Sequence, residues 1–440
     1  MTRKMKDSGV EWVGMIPDGW KCPKLKTICT CKGRIGFRGY TVEDLVDEGD
    51  GAITLSPTNI VDSKLSLAKC SYISWDKYYE SPEIMVNEGD VILVKTASVG
   101  KCTIYTSSLP ATVNPQFVVF KDVNCSNRFL YYNLQSDYIQ KQIKLSCMGS
   151  VIPTLTQGEI LSYRIPLPSL ADQERIADYL DAKCASIDDV IAKTNESIEE
   201  YKKLKQAVIT EAVTKGVRGK RPMKDSDVDW IGQIPKEWDV VALRYLGQCQ
   251  NGISKGAEFF GSGYPFVSYS DVYKNIELPK SVDGLVQSTD EERERYSVKR
   301  GDIFFTRTSE TIEEIGFTSV CTKDIENATF AGFLIRVRPI DDSLNPDYAK
   351  YYFRSDIHRR YFVKEMIIVI RASLGQELLK KLPVLLPSKE EQREIADYLD
   401  SKCAAIDTLI SKKRQLIDEL TAYKKSLIYE FVTGKKEVPA

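Results

Sequence analysis

The chain of 440 residues holds a single histidine, His358, and eleven scattered cysteines, so the side chains that most often act as bases, nucleophiles and metal ligands are few. No Ser-His-Asp or Cys-His constellation can be assembled around that one imidazole, and histidine-based metal sites are excluded by count. His358 falls in the basic helical candidate Arg354 to Lys364 and reads as a surface residue. Cys29-Thr-Cys31 is the only close cysteine pair, and no Cys-x-x-Cys occurs, so buried thiols are expected and neither a disulfide framework nor a zinc site is. Ser98-Val-Gly-Lys-Cys-Thr103 ends like a phosphate-binding loop, but Lys95 stands where its first glycine belongs and Cys102 where Ser or Thr is needed.

Two further segments touch on adenine chemistry. Asn114-Pro-Gln-Phe117 and Asn345-Pro-Asp-Tyr348 approach the Asp/Asn-Pro-Pro-Tyr/Phe tetrapeptide with which amino-methyltransferases hold a target amine. Both lack the second proline, and no Gly-x-Gly-x-x-Gly follows a strand to hold the methyl donor. The first is expected to lead into a strand and the second to start a helix. No catalytic residue, metal ligand or cofactor is assigned to this chain, which reads as a binder; an intrinsic adenine methyltransferase is kept as an alternative.

What it binds is suggested by local charge. The net charge is only -1, yet residues 21–42 carry Lys21, Lys24, Lys26, Lys32, Arg34 and Arg38 with no acid, and residues 91–121 carry Lys95, Lys101 and Lys121 with none. Acidic residues collect in Glu43 to Asp50 and Asp290 to Glu294. A polyanion can thus be held at chosen places. The start at Met1 lacks the apolar core of a signal peptide and no run approaches bilayer length, so a cytoplasmic protein without membrane contact is expected.

The elements that must position these residues occur twice. Pro168 to Asp188 returns 219 residues later as Pro387 to Asp407, the match running on to Val213-Thr214 and Val432-Thr433. A shorter echo opens each half, Lys6 to Trp20 against Lys224 to Trp238. Ends are matched and middles have diverged, which suits two different readers on one frame. The middles read as strands and turns: Ala52 to Ser56, Asp90 to Lys95 and Gln116 to Phe120, then Tyr264 to Tyr269, Gly301 to Thr306 and Phe333 to Arg338. Helical candidates follow at Asn127 to Leu145 and Pro346 to Lys364.

The repeated blocks contain no Gly or Pro from Leu170 to Lys215 or from Ser388 to Thr433. Seam residues there alternate at spacings of four and three: Leu180, Cys184, Ile187, Ile191, Thr194, Ile198 and Tyr201, matched by Leu399, Cys403, Ile406, Ile410, Lys413, Ile417 and Leu420. That heptad seam predicts two long helices pairing with each other, with Lys205 and Lys424 inside the seam to fix register. The expected organisation is a mixed α/β tandem duplication: a globular domain over 1–168, a helix over 169–215, a linker over 216–223, a second domain over 224–387, a second helix over 388–434 and a tail over 435–440.

The paired Val-x-Trp-x-Gly-x-Ile-Pro-x-x-Trp entries (Val10 to Trp20, Val228 to Trp238) and the paired Gln-x-x-Ile-Ala-x-Tyr-Leu-Asp helices (to Asp181 and Asp400) resemble the specificity subunits of type I restriction-modification systems. The resemblance covers essentially the whole chain. It implies two strand-rich target recognition domains separated by two long helices in an antiparallel coiled coil with pseudo-twofold symmetry, each domain reading one half of a split double-stranded DNA site. It also implies partners: two modification subunits that bind S-adenosylmethionine and methylate adenine, and a restriction subunit using ATP and Mg. A coiled-coil adaptor for protein partners is the other alternative.

Base edges and phosphates call for defined donors and acceptors on loops that a backbone can bring close. In the first domain the candidates are Lys32, Arg34, Arg38, Tyr40 and Thr41, then Thr58 and Asn59, then Lys95, Thr96, Ser98 and Lys101. In the second they are Ser254 and Lys255, then Ser268, Tyr269 and Asp271, then Arg307, Thr308 and Ser309.

Overall fold

A computed structural model describes residues 3–34, 39–147, 151–309, 315–365 and 372–439. The chain forms two compact units, Met1–Thr194 with Arg414–Ala440 and Asn195–Lys413. Each unit therefore takes its strand-rich part together with one half of each long helix, a division that falls inside the helices and not at their ends.

In the first unit, a four-stranded antiparallel sheet is built from Thr30–Lys32, Val91–Val94, Cys102–Ile104 and Phe117–Lys121. A five-stranded sheet stands beside it, and in it Gly51–Leu55 runs parallel to Ala111–Val113. Both faces of the Val91–Val94 and Phe117–Lys121 strands are covered, which is why their side chains form near-continuous apolar runs. The second unit repeats the plan: Gly247–Asn251, Ile303–Thr306, Thr318–Val320 and Leu334–Pro339 form the antiparallel sheet, and Phe260–Val267 runs parallel to Thr329–Phe330.

Both late helical candidates are broken in two, into Asn127–Gln135 with Asp137–Ser146 and Pro346–Tyr352 with Asp356–Glu365. The cause is a repeated Ser-Asp step. Ser136 takes an extended backbone, and its hydroxyl donates to the Asn133 carbonyl at 2.6 Å; the Ser355 hydroxyl donates likewise to Tyr352 at 2.6 Å. Serine at such a boundary satisfies a helix-end carbonyl and permits a new start.

The long helices run Leu170–Lys215 and Lys389–Val432, 46 and 44 residues, or roughly 65 to 70 Å each at 1.5 Å per residue. In the first unit Tyr179 packs on Phe431 and Lys424 bonds Asp188 at 2.6 Å; in the second Lys205 bonds Asp407 at 2.7 Å and Arg218 bonds Glu394 at 2.6 Å. Within each unit, numbers rise along one helix as they fall along the other, so the pairing is antiparallel. Leu180, Cys184, Ile187, Leu399, Cys403, Ile406 and Ile410 are buried on this seam, Ile198 is buried, and Ile191, Tyr201, Ile417 and Leu420 are half-buried. The two seam lysines each meet the aspartate of the other helix copy. Both pairs are only partly buried, and they favour the register that brings each lysine to its aspartate.

The repeated tryptophan entries explain themselves by packing. Ile16 and Trp20 join Phe431 and Val432 in the first core, while Ile234 and Trp238 join Ala212 and Val213 in the second. Each entry segment thus caps the last turn of a helix, and the two motifs repeat together because they touch. Tyrosines tie each strand-rich part to the early turns of the other helix: Tyr132 donates to Asp181 at 2.5 Å and Tyr351 to Asp400 at 2.7 Å.

Candidate nucleic-acid interface

The parallel strand pair organises the candidate loops. In the first unit Leu55 and Val113 end side by side, and the Asn114 N–H donates to the Leu55 carbonyl at 3.0 Å, so the chain after Leu55 and the chain after Val113 leave the sheet together. Lys95, the first residue beyond the Val91–Val94 strand, is fixed on both sides. Its N–H donates to the Gln116 carbonyl at 2.7 Å and its carbonyl accepts from the Leu155 N–H at 2.8 Å. Thr96 bridges to Thr154, and the Ala97 N–H donates to Pro153 at 2.9 Å. Gly33 lies against this same edge, where an added Cβ would stand 2.9 Å from the Phe117 carbonyl, so a side chain is excluded by close approach alone.

The second unit builds the same lattice from other residues. The Ala331 N–H donates to the Val267 carbonyl at 3.0 Å, the Arg307 N–H to the Phe333 carbonyl at 2.9 Å, and the Leu374 N–H to the Arg307 carbonyl at 2.7 Å. Thr308 and Ser309 pair with Ser373 and Ala372, as Thr96 pairs with Thr154. At Gly252 an added Cβ would stand 2.1 Å from the Phe330 carbonyl. Lys95 and Arg307 therefore occupy one position in a duplicated frame, each a cation on a main chain that cannot drift.

The candidate residues divide by what surrounds them. Lys32, Thr41, Thr58, Lys101 and Ser254 are exposed, and Tyr40, Lys95, Thr96, Ser98, Tyr269, Arg307, Thr308 and Ser309 are half-buried at the loop edge. Lys32 and Lys95 are close enough to Cys31 to oppose the burial that pushes its thiol up to about 11. The phosphate-loop look-alike is the turn of a hairpin between Val91–Val94 and Cys102–Ile104, with no helix after it to aim amides at a phosphate.

Other candidates are engaged within the frame, and one expectation, a surface position for His358, is overturned. Arg34 is 4% exposed; its guanidinium donates to the Val113 carbonyl and the Thr112 hydroxyl, both at 3.2 Å, and lies over the Tyr40 ring. Burial lowers its pKa against the pull of Tyr40, Glu80 and Glu83, and its evident work is to brace the end of the parallel strand pair. Asn59 is 2% exposed and holds the Ser66 and Lys69 carbonyls, organising its loop. Ser268 and Asp271 form a capping box on Tyr269–Lys274, and Lys255 bonds Glu292 at 2.6 Å, which with the Thr289 N–H holds that carboxyl below its ordinary range. His358, expected at the surface, is 1% exposed between the rings of Tyr352 and Phe353. Arg38 lies outside the described residues.

Gln116 and Phe333, absent from the sequence-derived candidates, stand at the centre of the two lattices. Their signal is spacing alone: each is the third residue beyond a parallel strand, Val113 or Phe330, and immediately precedes the next. Among the described residues no group of three or more His, Cys, Asp or Glu is placed to hold a metal ion, and no helix is long and apolar enough to cross a membrane.

Two copies of one frame, each presenting its own polar loop set on an unchanging backbone, define a paired recognition protein. The family model of the type I restriction modification DNA specificity domain matches residues 17–200 and again 235–421, and the chain belongs to that family. Among curated relatives, the type I restriction enzyme EcoKI specificity subunit of Escherichia coli (strain K12) is 23% identical, the match covering 90% of this chain and 84% of the relative. A putative type I restriction enzyme MjaX specificity subunit of Methanocaldococcus jannaschii is 26% identical over 97% and 96%. The fold is shared with the HsdS subunit from Thermoanaerobacter tengcongensis, at a TM-score of 0.51 and 18% identity over 96% and 98% of the two chains. It is shared more fully with a chain from a structure of type I R-M complex assembly and conformational transition, at a TM-score of 0.71 and 18% identity over 96% and 99%.

Proposed function

We propose that this chain is the non-catalytic DNA-reading subunit of a type I restriction-modification complex, each unit reading one half of a bipartite double-stranded site. The observation that carries the reading is the duplicated main-chain lattice around Lys95 and Arg307, in which three hydrogen bonds recur on different side chains. Such a frame holds reading depth constant while letting the sequence read change, because phosphate contacts fix register and side-chain tips select bases. The long helices set the gap between half-sites. They also offer matched surfaces to two modification subunits, which supply S-adenosylmethionine and the adenine methyl transfer. A restriction subunit using ATP and Mg completes the complex when cleavage occurs.

The test is methyl transfer to DNA by the cognate modification subunit with and without this chain. Methylation at one bipartite sequence only when both are present supports the reading. Methyl transfer by this chain alone would move the assignment to an intrinsic methyltransferase. An unchanged methylation pattern when this chain is added would move it to the adaptor alternative, whose coiled coil gathers protein partners.

A further inference from the structure

In the second lattice an exposed side chain stands out from a backbone that is held on every side, and the matching place in the first lattice carries a half-buried one. Phe333 is 64% exposed, between Ala331 and Leu334, which are buried. Its carbonyl accepts from Arg307, the Gly332 N–H donates to Ile253 at 2.7 Å and the Leu334 N–H to Ala331 at 2.9 Å. At the matching place in the first unit half-buried Gln116 follows exposed Pro115 and precedes buried Phe117. Its carbonyl accepts from Lys95, its N–H donates to the Asn114 Oδ1 at 2.9 Å, and its Oε1 accepts from the Asn114 amide at 3.2 Å. A single exposed apolar residue is ordinary on a protein surface. Here the ring is held by a fixed loop beside a cation, at the place where the sister domain offers an oriented amide.

Resting on the DNA-reading assignment, we infer that Gln116 and Phe333 occupy one duplicated base-reading slot, Gln116 taking an adenine edge and Phe333 a thymine methyl group. The chemistry follows from what the major groove displays. A side-chain amide matches the N7 acceptor and N6 donor of adenine, and an aromatic ring packs on the only apolar group in the groove, the C5-methyl of thymine. Lys95 and Arg307, on the neighbouring strand end, bring the positive charge that holds the backbone or a guanine alongside.

The experiment uses the full chain in complex with its cognate modification subunits. Sequencing of methylated DNA is compared for the unaltered chain, Phe333→Ala and Gln116→Ala. Phe333→Ala should relax one A·T position in one half-site, Gln116→Ala one adenine position in the other, with all remaining positions kept. Binding is then measured to duplexes of the identified site in which each thymine in turn is replaced by deoxyuridine, which lacks the methyl group. The unaltered complex should lose about fivefold or more in affinity at one such position, and Phe333→Ala should be indifferent to it. The deoxyuridine series on the unaltered complex decides the phenylalanine half even if a variant misfolds, and Gln116→Glu, tested in the same way, decides the other half if Gln116→Ala does. Variants that keep every specified position, or a site with no methyl-sensitive thymine, overturn the slot and leave the DNA-reading assignment standing. An unaltered complex that marks no bipartite sequence overturns both.

Discussion

At the scale of single residues, the structure separates side chains available to a ligand from those that hold the frame. Arg34 illustrates the second kind. Arg34→Ala should lower the unfolding free energy by about 1–3 kcal/mol in a denaturant titration, because the Val113 carbonyl and Thr112 hydroxyl lose a buried partner. Lys95 is of the first kind. Lys95→Ala should leave stability unchanged and weaken DNA binding by the partner-loaded complex, lowering the slope of log affinity against log salt by about one if it meets a phosphate. Glycines and hydroxyl clusters were legible in the sequence because close approach and polarity are properties of residue type. The burial of Arg34, Asn59 and His358 was not, since it depends on which carbonyls and rings the distant strands deliver. Gln116 and Phe333 were missed for a related reason: their place is defined by main-chain hydrogen bonds that different side chains can occupy.

At the scale of elements, the helices were the most legible feature. A stripe of period 3.5 with no Gly or Pro admits few other folds, whereas the Ser136 and Ser355 breaks hid inside helical composition. The Lys424–Asp188 pair makes its end of the seam pH-sensitive. Burial pushes the Asp188 carboxyl up, but Lys424 and Lys64 outweigh it and hold the pKa below its ordinary value. A depressed carboxylate contributes stability that is present above its unfolded pKa, about 3.9, and is lost as pH falls through the lower folded value. The loss of stability as pH falls below about 4 should therefore be shallower in Asp188→Asn, which removes the native preference for the ionised form. An Asp188→Asn variant whose stability falls as steeply with acid as the parent would assign that loss to other carboxylates. The tryptophan entries carry more energy. Trp238→Ala should destabilise the second unit by about 3–5 kcal/mol, read as an early transition in thermal unfolding.

At the scale of the whole molecule, the duplication in sequence becomes a duplication of backbone hydrogen bonds, and that is what lets two readers share one plan. If the continuous helices measure the gap between half-sites, one heptad added to each, after Thr194 and after Lys413, keeps the seam in phase and lengthens it by about 10 Å. That corresponds to about three base pairs, so methylome sequencing should return the same half-sites with a gap longer by about three. The central claim is that each unit reads its half alone. Its most direct test replaces residues 21–164 with those of a related specificity subunit and sequences the DNA methylated with the cognate modification subunits. The account predicts that one half of the bipartite site changes while the other half is retained base for base; a change in both halves would contradict it.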